Sequence, residues 1–179
     1  MPSERCEAGR GSVEIRAVRA GDHAAVGALH ERAFGQPAEA RLVEALHAAG
    51  AAMLSLVAER DGRVVGHVLF SPVTVRDGAR AWDAIGLGPV ATLPEQQRQG
   101  IGSALVRAGL DACRVRGHPV VFVLGHASYY PRFGFRPAAE AGLRWEHGHE
   151  GSFFVVELEP GALAGRRGVV RYRPEFAGV

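Results

Sequence analysis

Apolar residues recur at helical spacing in the first third of the chain and alternate with polar ones in the second. Val13, Ile15 and Val18 predict a short strand. Gly21-Asp22 offers a helix cap after it, and Val26, Leu29, Ala33 and Phe34 are spaced for one face of the helix that follows. A second helix is predicted from Pro37 to Ala49, with Leu42, Val43 and Leu46 turned inward. From Met53 the period changes. Leu54, Leu56 and Ala58 alternate, Asp61-Gly62 is a hairpin signal, and Val64 to Val75 makes the returning strand.

The middle of the chain reads as strand, helix, strand. Ala84 to Ala91 is an apolar run containing Gly86, Gly88 and Pro89. A proline inside a strand deletes a ladder donor and so marks an edge or a bulge. Leu93-Pro94 ends the strand, and Ile101 to Arg116 follows as a helix stopped by Gly117. Ile101, Leu105, Ala108 and Ala112 share one of its faces, and Arg107, Asp111 and Arg114 another. Val120 to Leu124 is apolar throughout, as in a strand buried on both sides, so a right-handed crossover between parallel strands is expected. Tyr129 to Phe133 reads as a short helix, Phe153 to Leu158 as a last strand, and Pro160 to Val179 as turns with a short edge strand around Val169 to Tyr172. These elements make one α/β domain over residues 13–179, with a mixed, twisted sheet of about six to seven strands and flanking helices. Residues 1–12 mix Pro, Gly, Ser and charge and read as a flexible tail.

Composition narrows the class of function. With 179 residues, 47% of them hydrophobic and 22% charged, the chain can bury a core. The formal net charge is +2 and the 21 basic residues form no run, so neither nucleic acid nor a membrane surface is implied as a partner. Cys6 and Cys113 show no metal-type spacing or obvious bridging partner, which fits a reducing compartment. With no apolar leader at Met1–Ser12 and no run approaching a membrane span, a cytoplasmic protein is expected. His147-Gly148-His149 lacks a nearby cysteine or carboxylate cluster and reads as a solvated loop, so no metal is assigned.

The chemistry centres on Gln97-Arg98-Gln99-Gly100-Ile101-Gly102. A glycine pair between a strand and a helix lets the backbone approach a ligand and turns unpaired N–H groups toward it. A helix start of this kind is an anion site, and Arg98 adds a cation, so a pyrophosphate is the natural guest. A dinucleotide fingerprint is excluded because Leu105 stands where its third small residue would fall. A P-loop is excluded by the absence of Gly-Lys-Ser or Gly-Lys-Thr.

Three segments together resemble the GNAT superfamily of N-acetyltransferases. Gln97, Gly100 and Gly102 match its central signature, Gly88-Pro89-Val90-Ala91-Thr92-Leu93-Pro94 is similar to its bulged fourth strand, and Tyr129-Tyr130-Pro131-Arg132-Phe133-Gly134-Phe135 to its Tyr-x-x-x-Gly-Phe ending. Gly168 to Phe176 is similar to a bacterial subgroup of predicted acetyltransferases. The resemblance implies the GNAT fold, with strands 4 and 5 splayed so that the pantetheine arm of acetyl-CoA inserts between them beside Val90 and Thr92. The backbone from Arg98 to Ser103, including Gln99 and Ile101, would cradle the pyrophosphate, with Gln97 and Phe133 also at the cofactor. An N–H near Val90 or Ala91 would polarise the acetyl carbonyl. Val123 stands where the family has an asparagine, which puts the fifth-strand cofactor contacts in question.

The leaving thiolate needs a proton, and a phenol with a pKa of about 10 can return one to a thiol of pKa about 8.5. Tyr130 matches the family's acid position, with Tyr129 the competing choice. The attacking amine must be neutral, and Asp83, His126 and, more distantly, Glu31 are candidate bases beside a water relay. The implied activity is transfer of an acetyl group from acetyl-CoA to a primary amine, on a small molecule or a protein, by direct attack. A homodimer is compatible with the family. The alternative is a CoA-binding sensor or partner-binding module, in which the cradle persists and Tyr130 is dispensable.

Overall fold

The computed structural model describes residues 11–177. The expected tail therefore lies, up to residue 10, outside the described residues, as does Cys6. Strand β1 (Glu14–Ala17) is followed by helices α1 (His23–Phe34) and α2 (Ala38–Ala48). Then come β2 (Leu54–Arg60), β3 (Arg63–Asp77), β4 (Arg80–Thr92), α3 (Ile101–Val115) and β5 (Val120–Leu124). Four shorter strands complete the chain: β6 (Arg136–Pro137), β7 (Leu143–Trp145), β8 (Phe153–Glu157) and β9 (Gly168–Arg171). Among the described residues, no helix is long and apolar enough to cross a membrane.

The nine strands of the described residues join one sheet, in the order β1-β2-β3-β4-β5-β8-β6, with β9 joining β3 to β7. The Asp61-Gly62 hairpin forms as its sequence predicts, with φ of 50° and 72° at the two residues, the positive angles that a tight two-residue connection demands. β4 and β5 are parallel and joined through α3, and β5 continues antiparallel to β8. Three expectations shift. β4 begins at Arg80, four residues before the apolar run, because Gly78 at φ 58° closes a second hairpin. β9 is not an edge: it sits between the far end of β3 and β7. Asp22 does not cap α1, since its carboxylate accepts from the Arg19 N–H and pairs with Arg16 at 2.6 Å.

Alternation along β2 and β3 assigns the two faces of the sheet. Leu54, Leu56, Val68 and Phe70 pack against α3, whereas Val57 and Leu69 pack beneath Val26, Leu42 and Leu46 of α1 and α2. α3 buries Ile101, Leu105, Val106, Gly109, Leu110 and Cys113, a stripe rotated from the predicted one, with Ala108 and Ala112 at its flank. Gly109 sets that rotation, because a Cβ there would enter the Phe70 ring. Under α1 lies a polar chain. His30 Nε2 is 2.8 Å from His67 Nδ1, His67 Nε2 is 2.8 Å from Ser55 Oγ, and Ser55 Oγ is 3.1 Å from His47 Nε2. His30 and His67 are fully buried. Burial pushes the His30 imidazole down to about 4 and holds His67 well below its ordinary value, so both are neutral near pH 7.

Candidate active site

The site is created by what β4 does after Leu87. Val68 faces Val90 and Phe70 faces Leu87, so Gly88 and Pro89 together oppose the single residue Leu69: a β-bulge. Pairing with β5 covers only Ile85↔Val121, Gly86↔Phe122 and Leu87↔Val123. Beyond that point β4 runs on to Thr92 with β3 on one side and no strand on the other. The opening is a cavity of about 680 Å³ between Gly88–Thr92 and Leu124–His126. Tyr129 and Tyr130 border it as well, together with Phe34, Glu39, Trp145, Tyr172 and Phe176.

A second cavity, of about 430 Å³, lies at the start of α3 against Arg98, Gly100, Ile101, Gly102 and Ser103. Thr92, Gln97, Gly102 and Tyr129 border both, so the two spaces adjoin. Arg98 takes φ 59° and Gly100 φ 83°, left-handed conformations that turn the chain sharply into the helix. The first helical bond runs from the Ala104 N–H to the Gly100 carbonyl at 2.9 Å, leaving the preceding N–H groups without helical acceptors at the cavity wall. Gly102 keeps this wall thin, since a Cβ there would come 3.3 Å from the Tyr129 hydroxyl. Arg132 adds a second cation, its guanidinium stacked 4.6 Å from the centroid of the Tyr129 ring.

The two tyrosines differ in placement. The Tyr129 hydroxyl lies 3.3 Å from Ser103 Oγ, toward the anion end, while the residue borders both cavities. Tyr130 borders only the larger cavity, its ring packed edge-on to Phe135 at 5.7 Å and against the bare backbone of Gly125. Burial raises its phenol above the ordinary range, which keeps it protonated at working pH. His126 borders the same cavity and is exposed.

Val90, Thr92, Gln97, Arg98, Gly100, Ile101, Gly102 and Ser103 are all brought to one or both cavities. Four expected residues are not. Asp83 sits in the β3–β4 ladder opposite Thr74, whose hydroxyl donates to it at 3.4 Å. That places it seven residues from Val90, on the order of 20 Å along the strand. Glu31 faces a separate groove between α1 and α2. The Gln99 side chain turns away to accept from Arg60 at 2.8 Å, and Phe133 packs beneath the Arg107 guanidinium, 5.1 Å from its ring centroid. Conversely, Arg132, Glu39 and the aromatic group of Trp145, Tyr172 and Phe176 were missed. Glu39 had a signal: with Leu42, Val43 and Leu46 it falls on the inward stripe of α2, where a carboxylate is out of place. Among the described residues, no group of three or more His, Cys, Asp or Glu is placed to hold a metal ion.

These features match known proteins. A family model described as an acetyltransferase (GNAT) domain matches residues 14–138. The uncharacterised N-acetyltransferase YhbS of Escherichia coli K12 is 40% identical over 158 residues, 87% of this chain and 93% of its own. A crystal structure of Escherichia coli YhbS in complex with CoA superposes with a TM-score of 0.88 at 36% identity, covering 97% of this chain and 96% of that one. A GNAT family acetyltransferase from Brucella melitensis, in complex with acetyl-CoA, gives a TM-score of 0.78 at 36% identity over 93% of this chain and 99% of that one. With the parted strands, the helix-start cradle and these relatives in agreement, the chain belongs to the GNAT family of acetyltransferases.

Proposed function

We propose that this acetyltransferase uses acetyl-CoA to acetylate a primary amine by direct attack, with both substrates held at once in the adjoining cavities. The observation that carries this reading is their continuity: an anion cradle with two guanidiniums opens at Thr92 and Gly102 into the gap between β4 and β5. YhbS and the Brucella protein hold CoA and acetyl-CoA respectively. The residues present here fit the same cosubstrate. The first turn of α3 with Arg98 and Arg132 would hold the pyrophosphate. The open edge of β4 at Val90 and Thr92 would pair with the amides of the pantetheine arm. An N–H near Val90 or Ala91 would polarise the acetyl carbonyl.

Tyr130 then serves the sulfur. As the nitrogen bonds to the acyl carbon and the C–S bond breaks, the phenol gives its proton to the departing thiolate. The proton that the nitrogen sheds on becoming an amide passes to His126 or water, and restores the phenol through solvent. The test is calorimetric titration with acetyl-CoA, followed by thiol release with a panel of amines. Binding with turnover that falls about 100-fold or more in Tyr130→Phe, at unchanged acetyl-CoA affinity, is the expected result. Absence of acetyl-CoA binding overturns the proposal, and binding without turnover on any amine favours a sensor.

A further inference from the structure

A second group of residues bordering the larger cavity has a chemistry of its own. Glu39, only 8% exposed, is the sole lysine, arginine, aspartate or glutamate among the described residues bordering the cavity. The Gln36 amide donates to both of its carboxylate oxygens, at 3.1 and 3.3 Å, and fixes its orientation. Aromatic rings from three distant parts of the chain border the same cavity. Trp145 meets Tyr172 edge-on at 6.5 Å between centroids, and Tyr172 meets Phe176 at 4.9 Å. Phe34, at the end of α1, remains 42% exposed on the cavity border.

The Tyr172 ring fits over Gly86, where a Cβ would come within 2.6 Å of it. Gly86 is in the last paired stretch of β4 and β5, so the aromatic group begins where the strands part and Tyr130 stands. The arginines on this last segment are turned to other partners. Arg171 pairs with Glu146 at 3.5 Å and Arg173 with Glu175 at 2.8 Å, and neither borders this cavity.

A single fixed carboxylate among aromatic faces, with no balancing cation, selects for positive charge on an apolar body. It selects equally against a second carboxylate or a phosphate, which would be desolvated beside Glu39 without a partner. We infer that this part of the cavity is the acceptor subsite, and that it takes a small monoamine with an apolar or aromatic body and no acidic group, its ammonium held by Glu39 before deprotonation. The inference rests on the acetyl transfer proposed above. Glu39 is then a specificity-determining residue, and the alternatives it disfavours are free amino acids and phosphorylated amines.

The test uses matched probes, 2-phenylethylamine and phenylalanine, which differ by one carboxylate. Each is titrated calorimetrically into the CoA-loaded chain, so the reading does not depend on turnover. The amine is expected to bind on the order of 10-fold or more tighter than the amino acid, and Glu39→Gln to weaken the amine by about 10- to 100-fold while leaving CoA affinity unchanged. Glu39→Asp, which keeps the charge, should recover part of the loss. Equal binding of the two probes, no binding of the amine, or indifference to Glu39→Gln overturns the inference. The wild-type comparison needs no variant to fold. Failure of acetyl transfer itself would show separately, as amine binding without thiol release.

Discussion

Lowering the pH should begin to destabilise this fold already above the carboxylate range, because His30 and His67 are buried neutral and bonded to each other. In the unfolded chain a histidine takes up its proton near its ordinary value of 6.5, whereas His30 in the fold does so only near 4. The unfolded state therefore binds more protons throughout that interval. The stability that His30 contributes by staying neutral is fully present above about pH 6.5 and is lost as pH drops toward about 4. At about pH 4.5 the unfolded imidazole has gained roughly 1.9 log units of protonation over the folded one, which at 1.36 kcal/mol per unit is about 2.5 kcal/mol for His30 alone. His67 and, less strongly, His47 are displaced downward too and add in the same sense. For a domain of this size the His30 contribution lowers the melting temperature by about 5–10 °C. The carboxylate of Asp22, held down to about 2 chiefly by its hydrogen bond from Arg16, gives up its contribution only between its ordinary 3.8 and that value, so it does not confuse the window. Thermal melts followed by circular dichroism at about pH 7.5 and about pH 4.5 measure the effect, beside a His30→Gln/His67→Gln double variant whose own melting temperature should change far less with pH. A wild-type drop under about 2 °C, or an equal drop in the double variant, would refute the reasoning.

Other outcomes follow from the same contacts. Gly125→Ala places a methyl in the Tyr130 ring and should lower turnover by about 10-fold or more with little change in acetyl-CoA affinity, as thiol-release kinetics would show. Gly102→Val narrows the cradle against Tyr129 and should weaken CoA binding by about 10-fold or more in calorimetry. Arg132→Ala removes one cation from the same cavity, so CoA affinity should fall and its dependence on salt should flatten. Phe70→Ala empties the fully buried contact beneath α3 and should cost about 3–5 kcal/mol in urea unfolding.

Much of this architecture was readable along the chain where a physical period or a backbone rule is strong. Alternation at Leu54, Leu56 and Ala58 gave the hairpin, and the Gly88-Pro89 interruption located the bulge that opens the site. The cradle was legible because glycine has few reasons to stand twice within three residues at the start of a helix, at Gly100 and Gly102. What failed depends on tertiary context. Asp83 was expected at the cleft because the strand was counted from Ala84, but the turn at Gly78 draws Arg80–Asp83 into the ladder and leaves the acid at the opposite end. β6 and β7, of two and three residues, are too short to show a period. Trp145, Tyr172 and Phe176 meet only because β9 bridges β3 and β7, a pairing with no local signature.

The parted strands have a consequence for handling the protein. From Gly88 to Thr92, β4 carries a row of backbone donors and acceptors with no neighbouring strand on the β5 side. Such an edge is a template for any extended peptide, including a segment of another copy of the chain. Pro89, which has no N–H, interrupts the row and limits its reach. A cosubstrate lying along that edge would shield it, so ligand-free protein should be the form that self-associates on concentration. Light scattering of concentrated samples with and without CoA would follow that difference directly.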